Sequence, residues 1–503
     1  MTPPARQSPQ REPILLLCRG RPRMISRMSG KDRLMPGWTT LRQLLEHEIA
    51  QRIQEGCQMD RLAWRKRLQA CGDGDTGSLE SLYRELQALE PGPDSSFHEP
   101  AGLEAILKSI PARKPRPAAR IPGEREIFDR LRGGWMGRCC GLALGLPFQN
   151  EPFTRHRQNR QRREIERWLK GADAWPLDFY VPSSSRVDVH GLRLASLEYT
   201  RENLQGVGPD PNIDFMLVAL KTLEKAGTDF QTGDLARSWF SLLTYDALPP
   251  AETQAYLNML RDENLAGGRF SREDLDQVDW AAIATRHNPY RESVGARCRS
   301  DLYGYLCPGH PARAAEMAWR DARMSHVKNG IYSAMFTAAI IAKAYTCGDP
   351  ASLVQTGLSL VPKESRLARA VRAAIRLRQE REDWAGCWDE IHAQYFAHDA
   401  AHSIPNTVIC VLALLYGEGD FAKSICAAVS AGLSPAANGA TVGSILGLVH
   451  GARALPARWT DPLKNSFRSG VKGYDAGTLS DGAARCMDII KKGVHGNDAR
   501  RRL

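Results

Sequence analysis

Apolar residues recur at every third or fourth position over most of the chain, the spacing that places them on one face of an α-helix. One such series is Ile213, Met216, Leu217, Leu220 and Leu223, and similar series run through residues 331–345, 407–416 and 421–431. The period-two alternation that marks strands joined by hairpin turns is nearly absent. The pattern therefore predicts an all-α protein.

Two of the predicted helical segments are apolar nearly all round and rich in alanine and glycine. They cover residues 338–342 and 440–447. Small side chains let helix backbones approach closely, and helices without a polar face belong inside a packed domain. We expect both segments at the centre of a helical bundle.

The same pattern divides the chain, which at 503 residues is too long for one ordinary domain, into five parts. Residues 1–34 form a basic leader for which no ordered structure is expected. Residues 35–90 carry helical spacing and predict a small helical module. Residues 91–123, rich in proline, predict a linker. Residues 124–495 form the main helical domain, and residues 496–503 are a basic tail.

The formal net charge of +11 is concentrated at the two ends of the chain. Residues 1–34 carry a net charge of +6 and residues 491–503 carry +4, so the body of the protein is close to neutral. No recognised nucleic-acid-reading motif occurs, and nucleic acid is not an expected partner. Residues 155–170 hold seven Arg and Lys. This run is interpreted as the solvated face of a helix, with an anion-binding surface as the alternative.

The twelve cysteines are scattered, and none form a C-x-x-C pair. This spacing argues against both a zinc site and a disulfide framework and fits a reducing compartment. No stretch approaches the ~20 apolar residues of a membrane span. A cytoplasmic protein without a membrane partner is therefore predicted.

Four segments are more specific than generic helices. They are GGWMGRCCGLALGLPFQ at 133–149, GVGPDPNIDF at 206–215, the pair NPYRE and SHVKNGIY beginning at 288 and 325, and 412–441 ending in SPAANGAT. In order and spacing they resemble the ADP-ribosylglycohydrolase family, in its bacterial branch, over roughly residues 124–490. The resemblance implies a compact multi-helix domain that acts on ADP-ribosyl groups.

In that family, the resemblance implies, two magnesium ions at the centre of the domain are held by Asp and Thr side chains, and a Glu after the Gly-rich turn serves catalysis. Here the Glu position is Gln149, which cannot transfer a proton. The metal-ligand positions are Asp210, Pro211, Asn212, Ser434, Ala436 and Ala437. About one negative charge would face two divalent ions, so no magnesium or other cofactor is expected.

The preferred hypothesis is a pseudoenzyme that binds ADP-ribose, a related nucleotide or a protein partner. Candidate ligand-binding residues are Asp210, Asn212, Asp214, His326, Asn329, Asn438 and Thr441. His402 and Asn406 are weaker candidates of the same kind. Residues 38–89 are a candidate element for binding a protein partner or for dimerisation.

Three alternatives stay open at this point. Asp210 and Asp214 could share a helix face and form a reduced metal site, although Asp210 followed by Pro211 is more typical of a helix cap. The chain could be an active glycohydrolase that draws on Asp210, Asp214, Glu151 and His326. It could also be a structural protein, like the lens crystallin that shares the fold of the family.

Overall fold

The computed structural model describes residues 39–72, 74–92, 97–110, 120–155, 160–188, 191–265, 270–395 and 398–500. The predicted leader, residues 1–34, lies outside the described residues. Within these ranges the predicted all-α class is confirmed. The strands there form one small antiparallel sheet, in which β1 (Ser466–Arg468) pairs with β2 (Ala476–Thr478).

The helices before residue 124 are α1 (Leu41–Gln54), α2 (Arg61–Ala70), α3 (Thr76–Gln87) and α4 (Leu103–Ser109). The helices of the main domain are α5 (Glu124–Gly145), α6 (Gln161–Gly171), α7 (Pro211–Ala226), α8 (Thr232–Leu242), α9 (Pro250–Arg261), α10 (Arg272–Asp276), α11 (Trp280–Thr285), α12 (Gly295–Cys298), α13 (Asp301–Tyr305), α14 (Pro311–Ala322), α15 (Lys328–Ala344), α16 (Pro350–Leu358), α17 (Arg366–Glu380), α18 (Trp384–Ala393), α19 (Ser403–Gly417), α20 (Phe421–Ser430), α21 (Pro435–His450), α22 (Ala457–Thr460) and α23 (Leu479–Arg500). Short 3-10 turns cover Leu146–Phe148, Tyr245–Ala247 and Asp461–Leu463.

Helices α5 and α21 cross at the centre of the main domain with their backbones in contact. The glycines that meet are Gly133, Gly137 and Gly141 of α5 and Gly447, Gly443 and Gly439 of α21. A Cβ atom at Gly137 would overlap the carbonyl oxygen of Gly443. This approach confirms that the small residues of 440–447 lie at the centre of the bundle, and it sets the start of α21 beside the end of α5.

Helices α1, α2 and α3 form a module with an apolar cluster of its own. Its buried members are Leu41, Leu45, Ile49, Leu68, Leu79, Leu82 and Leu86. Helix α1 begins with a capping box between Thr40 and Gln43, which satisfies backbone N–H groups at the helix start. The module is therefore a packed unit whose remaining faces are free to contact the main domain.

The proline-rich segment between the module and α5 is anchored to the main domain. Ile106 of α4 is buried in the main apolar core. The indole N–H of Trp319 donates to the Ala101 carbonyl at 2.9 Å, and Glu99 forms an ion pair with Arg366 at 2.7 Å. These contacts hold the described part of this segment against the main domain.

Among the residues that the structure describes, none of the helices combines the length and the apolar character needed to cross a bilayer. The cysteines in the described ranges are all free thiols.

Candidate functional site

A cavity of about 790 Å³ lies between the module and the main domain. Its walls come from α1 and α2 of the module, from the N-terminal ends of α7, α9 and α21, and from the loops around residues 289–295 and 398–402. This volume is within the range of sites that bind nucleotide-sized molecules.

The positions that the family resemblance assigns to catalysis and metal binding come together on this cavity. They are Gln149, Asp210, Pro211, Asn212, Ser434, Ala436 and Ala437. The close crossing of α5 and α21 brings Gln149, which follows α5, beside Ser434, Ala436 and Ala437 at the start of α21. The Gln149 side-chain oxygen accepts a hydrogen bond from the Ala436 N–H at 3.3 Å.

Asp210 caps α7. Its carboxylate accepts hydrogen bonds from the backbone N–H of Asn212 at 2.8 Å and from the Asn212 side-chain amide at 2.7 Å. Pro211 occupies the first helical position, where the lack of an N–H costs nothing. The predicted cap is confirmed. Burial raises the pKa of Asp210 above that of an exposed aspartate.

Asp214 lies one turn further along α7 and faces away from the cavity. Both oxygens of its carboxylate are within 3.2 Å of the Gly470 N–H, in the loop between β1 and β2. Burial, with a smaller contribution from Asp210, raises the pKa of Asp214 to about 7. Asp210 and Asp214 therefore do not present two carboxylates to the cavity, as a shared metal site would require.

The donor set at these positions does not fit a pair of divalent cations. Magnesium requires oxygen ligands with enough negative charge to offset its own. The hydroxyl of Ser434 donates to the Ala400 carbonyl at 3.2 Å, and Pro211 offers no donor atom. Across the described ranges, no group of three or more His, Cys, Asp and Glu side chains is arranged to hold a metal ion.

His326 and Asn329 lie behind the cavity wall. One ring nitrogen of His326 is 3.0 Å from the Ser293 hydroxyl and the other is 2.8 Å from the Ser325 hydroxyl. Burial, reinforced by Arg299, moves the pKa of His326 well below its usual range, so the ring is neutral. The Asn329 amide donates to Glu292 at 2.8 Å. Ser293 and Glu292 line the cavity, so these two predicted residues support lining residues instead of facing a ligand.

Asn438 and Thr441 are also buried outside the cavity lining. The Asn438 side-chain oxygen accepts from Arg297 at 2.6 Å, and its amide donates to Asn406 at 2.8 Å. The hydroxyl of Thr441 has no hydrogen-bond partner among the described residues. Both side chains lie in the packed interior of the domain. Asn406 is likewise interior, whereas His402 lines the cavity.

Glu151 is exposed and does not line the cavity. Of the four residues considered for a non-standard hydrolase site, only Asp210 contributes to the lining. The structure thus does not bring together the set Asp210, Asp214, Glu151 and His326.

Sequence reasoning missed Glu252. It is the third residue of α9, shortly after Pro249 and Pro250, and it lines the cavity. One carboxylate oxygen pairs with Arg299 at 2.6 Å, and the other is buried with no hydrogen-bond partner in the described part of the chain. Burial raises the pKa of Glu252. A Cβ atom at Gly295 would overlap this carboxylate, so glycine is needed for the approach. The only signal in the sequence was the Pro-Pro helix start, which does not reveal burial.

The module supplies a complete wall of the cavity, which the sequence pattern also did not reveal. The residues are Glu46, His47, Ala50, Gln51 and Gln54 of α1 and Arg61 and Arg65 of α2. The Gln51 amide donates to the Glu292 carboxylate at 2.8 Å, joining the module directly to a lining residue of the main domain.

A buried ionic cluster fixes this wall in place. The Arg291 guanidinium lies 2.7 Å from a carboxylate oxygen of Glu48 and 2.9 Å from one of Glu55, and Lys328 lies 3.3 Å from Glu55. Burial acts to raise the pKa of Glu55, but Arg291 and Lys328 outweigh it and lower that pKa to about 2. Glu55 is therefore charged at neutral pH. Glu48 and Glu55 belong to the module, while Arg291 and Lys328 belong to the main domain.

The fold and the cavity define an all-α domain with a nucleotide-sized pocket at the meeting point of several helix N-termini. The sequence model of the ADP-ribosylglycohydrolase family matches residues 124–488, and the chain belongs to this family. A solved structure of an ADP-ribosylglycohydrolase-related protein complex aligns with a TM-score of 0.42 at 17% identity, covering 73% of this chain and 99% of that chain. No curated protein matches the chain. Helices α1–α3 lie outside the family match.

Proposed function

We propose that this protein is a member of the bacterial branch of the family that binds ADP-ribose or a related nucleotide in the cavity without metal-assisted hydrolysis. The proposal rests on one observation. The positions that the family resemblance assigns to catalysis and metal binding line one cavity, but the residues there are uncharged or, as for Asp210, hydrogen-bonded at a helix start. Gln149 stands at the position of the acid–base Glu, and Asp210 caps a helix.

Binding is supported by unsatisfied polar atoms on lining residues. Within the described part of the chain, Asn212 Oδ1 and Glu252 Oε2 are buried without a hydrogen-bond partner. Leaving such groups unpaired costs free energy, and native structures pair the great majority of them. A polar ligand with hydroxyl and amino groups, such as a nucleotide with its ribose, would satisfy them.

Loss of hydrolysis follows from the chemistry of the same positions. An amide such as that of Gln149 can neither take a proton from water nor return one to a leaving group. Metal-assisted displacement needs a cation that polarises the reacting oxygen, and the donor set does not hold one. The proposed protein therefore retains recognition and lacks turnover.

Filling the cavity tests where the ligand binds. Ala401, half-buried in the cavity wall, is changed to Trp, and exposed Ala457 on α22 is changed to Trp as the matched control. ADP-ribose is expected to raise the thermal unfolding temperature of the wild type and of Ala457→Trp, because a ligand that binds only the folded state stabilises it. Ala401→Trp is expected to lose this shift. An unchanged shift in a folded Ala401→Trp variant would place the ligand elsewhere.

A residual hydrolase is the second candidate, and Glu252 is the observation that favours it. Glu252 lines the cavity, burial raises its pKa, and one of its oxygens has no hydrogen-bond partner among the described residues; such a carboxyl group is suited to act as a general acid. The assay is release of ADP-ribose from an ADP-ribosylated peptide by the wild type and by Glu252→Gln. The preferred proposal predicts background release from both, whereas turnover abolished in Glu252→Gln would establish the second candidate.

We also propose a cytoplasmic location. The free thiols of the described cysteines are what a reducing compartment maintains.

A further inference from the structure

Three arginines line the cavity without a charged partner. Arg61 and Arg65 lie on successive turns of α2, and Arg155 lies in the loop before α6. None of the three forms an ion pair with a carboxylate among the residues that the structure describes. They come from two separate parts of the chain, so the fold, and not sequence proximity, gathers these charges.

The three cations are close enough to act on one another. Partial burial, and then the charges of Arg65 and Arg155, lower the pKa of Arg61. All three residues are exposed, so water screens the repulsion between them without removing it. An anion between them would offset it, and a cavity wall of low polarisability would strengthen the attraction.

A fourth arginine on the same helix shows that α2 does offer ion-pair partners. Arg67 points away from the cavity, pairs with Glu85 at 2.6 Å and stacks over Trp64 at 4.5 Å. Arg67, which does not line the cavity, is therefore paired, whereas Arg61 and Arg65 form no ion pair among the described residues.

Helix α2, which carries Arg61 and Arg65, belongs to a unit that is anchored beside the cavity. The module that carries α2 is joined to the main domain through the buried cluster of Arg291 with Glu48 and Glu55. A guanidinium group binds phosphate oxygens with directed, charge-assisted hydrogen bonds, so fixed arginines give both affinity and orientation.

We infer that Arg61, Arg65 and Arg155 form a phosphate-binding subsite that receives the pyrophosphate of a nucleotide whose remainder occupies the cavity. This inference rests on the proposed function and extends it. It assigns the module, which lies outside the family match, a direct part in ligand binding in place of the expected role as a surface for protein partners.

The test uses the full chain, titrated calorimetrically with ADP-ribose and separately with inorganic pyrophosphate. The variant is Arg61→Gln/Arg65→Gln, and the control is Lys66→Gln, an exposed cation on the same helix that does not line the cavity. The double variant is expected to lose about tenfold or more in affinity for both ligands, the scale of charge-assisted hydrogen bonds. Lys66→Gln is expected to bind both ligands as the wild type does, and added salt is expected to weaken binding by the wild type more than by the double variant.

The outcomes separate this inference from the proposed function. If ADP-ribose binds the double variant as tightly as it binds Lys66→Gln, the subsite is wrong and the proposed function stands. If pyrophosphate binds through the arginines but ADP-ribose does not bind, the subsite stands and the proposed function falls. If neither ligand binds the wild type, both fall.

Discussion

Arg291→Met is expected to lower the free energy of unfolding by about 3–5 kcal/mol, the cost of removing one partner from a buried ion pair. The substitution would leave Glu48 and Glu55 buried, with relative exposures of 1% and 4%, without the guanidinium that pairs with both. Methionine keeps much of the side-chain volume, so the loss reports charge more than packing. Urea unfolding followed by circular dichroism measures it.

The matched control is Arg67→Met. Arg67 and Glu85 form an ion pair with a short distance, but both side chains are about half exposed. Exposed pairs contribute roughly 0–1 kcal/mol, so this variant should unfold almost as the wild type does. Equal losses in the two variants would show that the Arg291 cluster does not hold the module to the main domain. The cavity wall would then not be fixed.

Gly141→Val is expected to destabilise the protein by about 3 kcal/mol or more, at or above the upper end of what overpacking usually costs. The added side chain would meet the carbonyl group of Gly439, which belongs to the backbone of α21 and cannot rotate away. Helices α5 and α21 would have to separate, and the cavity floor, built where these helices meet, would lose its arrangement. Thermal and urea unfolding measure the change.

Gly123→Ala is the control for this substitution. Gly123 caps the same helix, and a Cβ atom there would have no neighbour within 4 Å. Its replacement should cost about 1 kcal/mol, since alanine is a poorer cap than glycine but would meet no neighbouring atom here. If Gly141→Val unfolded like Gly123→Ala, the close crossing of α5 and α21 would be wrong.

The elements that sequence could predict are those set by local chemistry. The start of α7 follows from Asp210 and Pro211, whose capping geometry depends only on neighbouring residues. The central position of residues 440–447 follows from small and apolar residues on every face and from the lack of charged side chains.

The rest depends on contacts between distant parts of the chain. Glu48 and Glu55 look like the solvated face of α1 until Arg291, more than 230 residues away, is placed against them. His326 lies in a motif typical of the family, yet its ring faces Ser293 and Ser325 because of how α15 packs. The Asp214 carboxylate accepts a hydrogen bond from the Gly470 N–H because the loop between β1 and β2 packs against α7. A pattern of spacing fixes the face of a helix but not which neighbour that face meets.

The central claim is that the cavity retains ligand recognition without magnesium. The most direct measurement is a calorimetric titration of ADP-ribose into the purified protein, once in EDTA and once in millimolar magnesium. The account predicts binding with the same affinity in both buffers, because the site holds no metal that the ligand must reach. Binding that occurs only with magnesium would contradict it and indicate a working metal site, and no binding in either buffer would contradict it in favour of a structural role.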